Sequence, residues 1–456
     1  MSFTTELKAL LSNRYSENTD VRNQHGAGFS YHACMPPDAV VYPQSVEEVS
    51  EILRICSRYR VPVIPFGAGT SIEGHIVATR GGISVDLGKM NRIPEINTAD
   101  MYVTVQAGVT RNQLDEALKG TGFFFPIGPG VNATIGGMAA TRASGTNAVR
   151  YGTMKDNVLS LTVVLPDGSV VKTGSKARKS SAGYDLTRLF IGSEGTLGII
   201  TDLTLKLSGY PESVYAAVTS FPTVEAAVNT AIRTIQQGVP VARVELLDAT
   251  MMRVINRYSG LTYREEPTLF LEFHGSSGEV ERQADRTRSI AFGFGAEGFV
   301  GEEEESARER LWKARTDAAL AVQTLVPGCR LFSTDVCVPI SRLAVCITET
   351  QRDIAESGLL APILGHVGDG NFHLSIPVHP DDPDALAKAR AVNERLVRRA
   401  LEMEGTCTGE HGIGIGKLAY MESEHGPALA VMRSIKAGLD PLQIMNPGKL
   451  LPPSPF

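Results

Sequence analysis

Two histidines in the C-terminal half of the chain, His366 and His373, flank the dipeptide Asp369-Gly370. An Asp-Gly pair between apolar, β-favouring residues is the strongest short-range signal for a β-hairpin with a two-residue turn. In that register His366 lies directly opposite His373, and directly opposed residues hold their Cβ atoms about 4.5–5.5 Å apart on one face of the sheet. Two imidazoles at this separation can bind one metal ion at about 2.0–2.1 Å from each ring nitrogen. The spacing therefore predicts part of a metal site.

A carboxylate and a third histidine stand side by side further along the chain, at Glu410 and His411. With His366 and His373, Glu410 makes a set of two imidazoles and one carboxylate, which leaves coordination positions open as catalytic metal sites do. His411 is then a candidate catalytic base. These ligand types suit Zn, Mn or Fe about equally. The alternative is a pair of half-buried histidines that bind no metal, which a His-x6-His spacing alone would favour.

The composition describes an ordinary globular protein and argues against one class of partner. At 456 residues the chain is too long for a single core, so two or three domains are expected. A net charge of −6 argues against binding to nucleic acid, which needs a basic surface. The six cysteines show no C-x-x-C spacing, and the N-terminal residues lack a secretory or transit signal. We therefore expect a cytoplasmic protein without a transmembrane segment, and a peripheral contact with the inner membrane is left open.

Glycine is enriched before residue 200, where two glycine-rich segments are candidate ligand-binding loops. The first, Phe66–Gly74, follows a predicted strand, and its backbone amides can form a nest for phosphate oxygens. The second lies within residues 124–152 and consists mostly of Gly, Ala, Pro and small hydroxyl residues, which are too small to fill a core. Neither segment carries the G-x-G-x-x-G or G-K-S/T pattern of the common nucleotide-binding loops. A Rossmann or Walker-type site is therefore not expected.

These glycine-rich segments occur with other motifs that resemble the FAD-binding domain of the vanillyl-alcohol oxidase/p-cresol methylhydroxylase (PCMH) flavoproteins. The motifs are residues 65–74, 128–152, 165–168, 182–186 and 190–201. The C-terminal half is similar to the FAD-linked D-2-hydroxy-acid dehydrogenase branch, and within it to the cytochrome-type D-lactate dehydrogenases. That likeness rests on residues 312–315, 333–339, 366–373, 405–412 and 445–449. The resemblance covers almost the whole chain.

The resemblance implies a bound FAD and assigns residues to it. The residues assigned to the pyrophosphate loop are Pro65, Gly67, Ala68, Gly69, Thr70, Ser71 and Gly74. The residues assigned to the flavin and its ribityl chain are Pro129, Gly130, Thr134, Gly136, Gly137, Ser144, Gly145, Asn147 and Tyr151. Glu194, Gly198 and Ile200 are assigned to the adenosine end, and Asn446 would reach the isoalloxazine edge. Some relatives tether the flavin through a histidine in the first loop, where this chain has Thr70 and Ser71. We therefore expect FAD to be bound noncovalently.

The resemblance and the pattern of elements together predict an α+β protein. A PCMH-type FAD-binding domain with two subdomains would occupy residues 1–210, a substrate or cap domain residues 211–405, and residues 406–456 would return to the FAD domain. The elements expected in the cap domain are strands at 214–219, 242–247 and 268–274 and helices at 223–237 and 279–292. This βαββα order is typical of a ferredoxin-like antiparallel sheet with helices on one face.

The resemblance also implies a reaction. In the relatives an arginine that matches Arg315 anchors the substrate carboxylate; the alternative for Arg315 is an exposed position on a helix. Relatives that act on dicarboxylates carry a lysine where this chain has Ser333, which favours a small D-2-hydroxy acid, D-lactate above all. Hydride would pass from Cα of this acid to N5 of the flavin, while His411 takes the hydroxyl proton and the predicted metal binds the substrate.

The sequence leaves other functions open. Within the same class, the chain could be a glycolate or a D-2-hydroxyglutarate dehydrogenase. From different classes, it could be a metal-dependent hydrolase, which would leave the glycine-rich half unexplained, or a flavin-binding electron-transfer subunit without substrate chemistry. The expected partners are the hydroxy acid and an electron acceptor, namely a quinone, a cytochrome or an electron-transfer flavoprotein. A homodimer is compatible with the sequence.

Overall fold

The computed structural model describes residues 2–302 and 304–453, which form two compact units. The first unit contains the chain up to Ser144, Gly152–Tyr210 and the chain from Glu410 onwards. The second unit contains Gly145–Tyr151 and Pro211–Gly409. Each unit has its own core of buried apolar side chains. Within the described ranges, no helix combines the length and the apolar character needed to cross a membrane.

A four-stranded sheet begins the first unit. Its strands, in the order β1-β2-β4-β3, are β1 (Tyr15–Ser16), β2 (Ala39–Val41), β3 (Val63–Phe66) and β4 (Ile83–Asp86), and the helices beside it in the chain are α1 (Phe3–Leu11), α2 (Thr19–Gly26) and α3 (Val46–Tyr59). Strands β2, β4 and β3 are parallel, and α3 connects β2 to β3. The Ser45 hydroxyl caps α3 by accepting a hydrogen bond from the Glu48 amide, and Val49, Ile52 and Leu53 are buried on its apolar face. The first glycine-rich loop begins at the carboxyl end of β3.

A second sheet of the first unit has five antiparallel strands. Its strands, in the order β5-β6-β10-β8-β9, are β5 (Glu95–Asn97), β6 (Tyr102–Gln106), β8 (Val158–Val164), β9 (Val170–Lys172) and β10 (Ile199–Lys206), while β7 (Phe123–Phe124) pairs with β11 (Ser208–Gly209). The remaining α-helices of this unit are α4 (Arg111–Leu118), α5 (Ile135–Ala140), α7 (Met154–Asn157), α8 (Leu186–Phe190), α16 (Met421–His425) and α17 (Ala428–Leu439).

The C-terminal segment of the first unit runs beside β3. The Val63 amide donates to the Ile444 carbonyl at 2.8 Å, and the Asn446 amide donates to the Val63 carbonyl at 2.8 Å. The buried ammonium of Lys436 on α17 donates to the carbonyl oxygens of Thr196 and Met445, at 2.7 and 2.9 Å. These bonds fix the segment at residues 444–446 against β3, directly before the first glycine-rich loop.

The second unit is built on one eight-stranded antiparallel sheet. Seven strands follow the order β15-β12-β14-β13-β18-β19-β16, and β17 pairs with β19. The strands are β12 (Ser213–Ser220), β13 (Val241–Leu247), β14 (Thr268–Gly275), β15 (Glu297–Glu302), β16 (Arg330–Ser333), β17 (Val336–Cys337), β18 (Ile363–Gly365) and β19 (Asn371–Val378). The helices are α6 (Ala148–Tyr151), α9 (Val224–Gln236), α10 (Ala249–Ser259), α11 (Ser277–Gly293), α12 (Glu305–Thr316), α13 (Ala318–Gln323), α14 (Leu343–Ser357) and α15 (Pro383–Glu402).

This architecture confirms the expected α+β class and differs from the predicted cap domain in two respects. Helix α10 lies between β13 and β14, so the order is βαβαβα. The signals for α10 are present in the sequence: Asp248 caps its first turn, Met251 and Ile255 are buried one turn apart, and Gly260 ends it with a φ of +64°. The second difference is that both faces of the sheet are covered at β14, which is buried at every position but the last. Helices on one face alone would leave alternate residues of this strand exposed.

Candidate active site

The two glycine-rich segments meet in the first unit. The loop Gly67–Ser71 follows the carboxyl end of the parallel strand β3, which is where ligands bind in open α/β sheets. A methyl group added at Gly67 would overlap the side chain of Thr134, and Thr134 caps α5 by accepting from the Gly137 amide at 3.3 Å. Gly69 has a φ of +68°, which a residue with a side chain rarely adopts. The close approach of the two loops therefore requires glycine, as a cradle for a phosphate-bearing cofactor does.

The other residues assigned to FAD are divided between the units. The first unit contains Pro65, Ala68, Gly74, Pro129, Gly130, Gly136, Ser144, Glu194, Gly198, Ile200 and Asn446, and the second contains Gly145, Asn147 and Tyr151. The Asn147 carboxamide oxygen accepts a hydrogen bond from Nε of Arg243 at 2.7 Å, and the Tyr151 hydroxyl lies 2.7 Å from Nδ1 of His274. Asn147, directly before helix α6, and Tyr151, at its end, thus anchor this helix to strands β13 and β14.

The hairpin of His366 and His373 has a different register from the predicted one. Leu364 lies opposite His373, and His366 is in the turn, where its carbonyl accepts from the Asp369 amide at 2.9 Å. The predicted direct pairing of His366 with His373 is wrong. The two strands are joined by five residues, 366–370, in place of the expected two-residue turn, and the His366 carbonyl also accepts from the Asn371 amide at 3.3 Å.

The two imidazoles nevertheless come together. His366 is two residues beyond Leu364 and so belongs to the same face as His373, diagonally across the hairpin. The ring centroids are 5.6 Å apart, the ring planes are at 82°, and both side chains are buried. Two imidazoles bound to one tetrahedral ion have their centroids about 5 Å apart. The pair therefore fits a shared metal ion.

Buried carbonyl and carboxylate oxygens orient both rings, and the residues that supply them are not among the predicted site residues. Nδ1 of His366 lies 2.6 Å from a carboxylate oxygen of Glu245 on β13. Nδ1 of His373 lies 3.1 Å from the Thr334 carbonyl and 3.5 Å from the Asp335 carboxylate. Metal-binding histidines commonly hold such a partner on the nitrogen that does not bind the ion, which raises their basicity. Glu245 had a signal in the sequence, because it is an acidic residue in an otherwise mostly apolar strand.

Arg315, the predicted carboxylate anchor, is buried on α12 and is not an exposed helix arginine. Its Nε and one terminal nitrogen lie 2.9 and 2.6 Å from the same oxygen of Glu245. Burial by itself would raise the pKa of the Glu245 carboxyl, but His366 and Arg315 outweigh it and hold that pKa below its usual range. One ionised carboxylate thus joins the candidate substrate anchor to a candidate metal ligand.

Glu410 and His411 begin the segment that belongs to the first unit. Just before them, the Thr408 hydroxyl donates to Asp335 at 2.6 Å within the second unit. Just after them, within the first unit, the Ile415 amide donates to the Glu73 carbonyl at 2.8 Å. Nδ1 of His411 lies 3.9 Å from the Glu73 carboxylate. The chain is therefore anchored on both sides of the predicted ligand and base.

Comparison with known proteins places the sequence among flavoproteins. A family model described as FAD linked oxidases, C-terminal domain, matches residues 210–450, and one described as FAD binding domain matches residues 37–174. The chain is 53% identical to a probable mitochondrial D-lactate dehydrogenase of Danio rerio, over 96% of this chain and 88% of the relative. It is 48% identical to the mitochondrial D-lactate dehydrogenase (cytochrome) of Arabidopsis thaliana, over 98% of this chain and 80% of that protein.

The expectation of a cytoplasmic protein is wrong in the light of these relatives. The proteins of zebrafish, Arabidopsis and two yeasts that match at 40–53% identity are all described as mitochondrial. Cysteine spacing and composition had indicated only a reducing environment, which does not identify the compartment. The comparison therefore does not support the expected compartment.

Among solved structures, p-cresol methylhydroxylase with substrate bound superposes with a TM-score of 0.82 at 18% identity, over 98% of this chain and 96% of the other. 4-Ethylphenol oxidase from Gulosibacter chungangensis gives a TM-score of 0.81 at 19% identity, over 99% and 97%. At such low identity these structures establish the fold alone, which is the PCMH type. The family models and the sequence relatives show that the chain belongs to the FAD-linked oxidase family that includes the D-lactate dehydrogenases.

Proposed function

We propose that the chain is an FAD-dependent dehydrogenase that oxidises a small D-2-hydroxy acid, with D-lactate as the preferred substrate, to the 2-oxo acid. The observation that carries the proposal is the position of Glu245, which binds Arg315 and His366 at once. A cation suited to a carboxylate and an imidazole suited to a metal are thereby placed side by side. An α-hydroxy acid offers the matching pair of groups, a carboxylate next to an alcohol.

FAD bound to this chain would supply the hydride acceptor for the oxidation. The loop Gly67–Ser71 and the segment that begins at Thr134 would hold FAD without a covalent bond. Thr70 and Ser71 stand where some relatives have the histidine that tethers the flavin. The protein's part is to bind the acid in one orientation and to exclude water from the reacting carbon.

We assign His366, His373 and Glu410 as ligands of a divalent metal. An ion held by these residues would supply a Lewis acid for the alcohol oxygen of the substrate, which would make the alcohol proton easier to remove. His411, the residue after Glu410, takes that proton at a ring nitrogen. Arg315 neutralises the carboxylate of the acid, and its contact with Glu245 keeps the guanidinium in a fixed orientation.

The visible spectrum of the purified chain tests this function. Anaerobic addition of D-lactate is expected to bleach the flavin bands, whereas L-lactate leaves them unchanged. Glycolate and D-2-hydroxyglutarate, added in the same way, test the alternatives within the class. A flavin that dithionite reduces and no hydroxy acid reduces would indicate an electron-transfer subunit, and a colourless protein that hydrolyses a substrate with added metal would indicate a hydrolase.

Replacing Arg315 with lysine is expected to raise KM for D-lactate by about tenfold or more, with a smaller effect on kcat. Lysine keeps the charge, but a single ammonium cannot bind both Glu245 and a substrate carboxylate in the forked geometry of a guanidinium. Steady-state kinetics of the FAD-loaded protein measure the change. Arg253→Lys, at an exposed ion pair on α10, is the matched control. An unchanged KM in Arg315→Lys would contradict the assigned role.

A further inference from the structure

Glu194 occupies an unusual position in the first unit. Its side chain is buried, and its backbone φ is +53°, in the left-handed region that residues other than glycine seldom adopt. Such a conformation is strained and persists only where surrounding contacts impose it. The Glu194 amide donates to the Ala140 carbonyl at 2.9 Å, and its carbonyl accepts from Nδ2 of Asn446 at 2.7 Å. The Glu194 backbone is therefore fixed through both its amide and its carbonyl.

The Glu194 carboxylate binds the segment that follows the candidate base. Its two oxygens accept hydrogen bonds from the amides of Ile413 and Gly414, at 2.7 and 2.8 Å. Gly412 has a φ of +82°, and a methyl group there would come within 2.8 Å of a Glu194 oxygen and 2.7 Å of Nε2 of His75. The backbone directly after His411 thus lies against the side chains of Glu194 and His75, with no room for a larger residue at Gly412.

His75 is a buried neighbour of the Glu194 carboxylate. Its Nε2 lies 3.4 Å from a Glu194 carboxylate oxygen, and both side chains are buried. Burial by itself would raise the pKa of the Glu194 carboxyl, but His75 and the two backbone amides outweigh it and hold that pKa below its usual range. An ionised carboxylate is the stronger acceptor for two amides at once.

We propose that Glu194 is a positioning residue: it holds the backbone after His411 so that this imidazole stands where it can take the substrate proton. The inference rests on the proposed function of His411 as the base. It differs from the role at the adenosine end of FAD that resemblance assigned to Glu194. Asn446 and Lys449 help to hold Glu194 in place. Nζ of Lys449 donates to the Asn446 side chain at 2.8 Å, and that side chain donates to the Glu194 carbonyl.

Glu194→Gln tests the inference, because a carboxamide keeps the size but has one oxygen in place of two to accept the amides of Ile413 and Gly414. In the FAD-loaded, metal-loaded protein, we expect the rate of flavin reduction at saturating D-lactate to fall by about 10–100-fold. The apparent Kd for D-lactate, the FAD content and the rate of reduction by dithionite should stay within about twofold of the original protein. Glu116→Gln, at an exposed carboxylate on α4, is the control.

A second variant keeps the test decisive if Glu194→Gln folds poorly. Gly412→Ala is expected to give the same loss of reduction rate with FAD retained, since its methyl group displaces the same backbone. Loss of FAD in both variants would restore the adenosine role and overturn the inference, as would full reduction rates in either variant. If the unaltered protein is not reduced by D-lactate, the proposed function fails; if it is reduced and Glu194→Gln matches it, only the positioning role fails.

Discussion

Replacing His411 with glutamine is expected to slow reduction of the bound flavin by D-lactate by about 10²–10⁴-fold, the usual contribution of a general base. FAD and metal contents should be unchanged, because His411 is assigned to neither set of ligands. Glutamine keeps a polar side chain of similar length but cannot take a proton at neutral pH. Anaerobic stopped-flow measurement of the flavin absorbance at saturating D-lactate gives the rate of the reductive step alone.

The matched control for this variant is His425→Gln, on helix α16 at the partly exposed surface of the first unit. It should reduce at the original rate. A deuterium label at Cα of D-lactate distinguishes slowed chemistry from slowed binding, since only a rate limited by cleavage of the Cα–H bond falls with the label. Reduction of His411→Gln at the original rate would exclude His411 as the base, and loss of FAD from it would indicate a structural role.

The two histidines of the predicted hairpin come together, but in a register that differs from the predicted one. The local preference of Asp-Gly for a two-residue turn predicts the turn at Asp369-Gly370. This preference cannot include the packing of Gly368 against Val149 and Val244, which are far away in the chain. Since His366 stays on the same face as His373, the pairing of the rings survives the change of register. A one-residue shift would have placed the two rings on opposite faces of the sheet.

Other features could not be read from the sequence at all. Glu245 precedes His366 by 121 residues, and Asp335 contacts both His373 and Thr408. Such contacts depend on strand order, which β13 and β18 acquire only in the folded sheet. Helix α10 is a different case, because its capping residue, apolar spacing and terminal glycine were all present in the sequence. The FAD-binding loops are predicted from the family resemblance, because their glycine spacing alone is common among unrelated proteins.

Replacing His366 with alanine is expected to remove the metal and the activity together. The original protein should contain about one divalent ion per chain, and the variant less than a tenth of that, since loss of one of three protein ligands leaves too few donors to hold it. The reductive rate with D-lactate should fall by about 10³-fold or more, because the ion supplies several kcal/mol of charge stabilisation at the alcohol oxygen. Elemental analysis of the dialysed protein and anaerobic flavin reduction measure the two effects.

Chelation separates the loss of the ion from the loss of the side chain. A chelator should bring the original protein to the low rate of His366→Ala, and added Zn or Mn should restore the original protein but not the variant. His379→Ala, at an exposed histidine just after β19, should keep both metal and rate. If the chelated, metal-free protein is still reduced by D-lactate at full rate, His366 and His373 are a buried pair satisfied by Glu245, Thr334 and Asp335. Proton removal by His411 would then have to proceed without assistance from an ion.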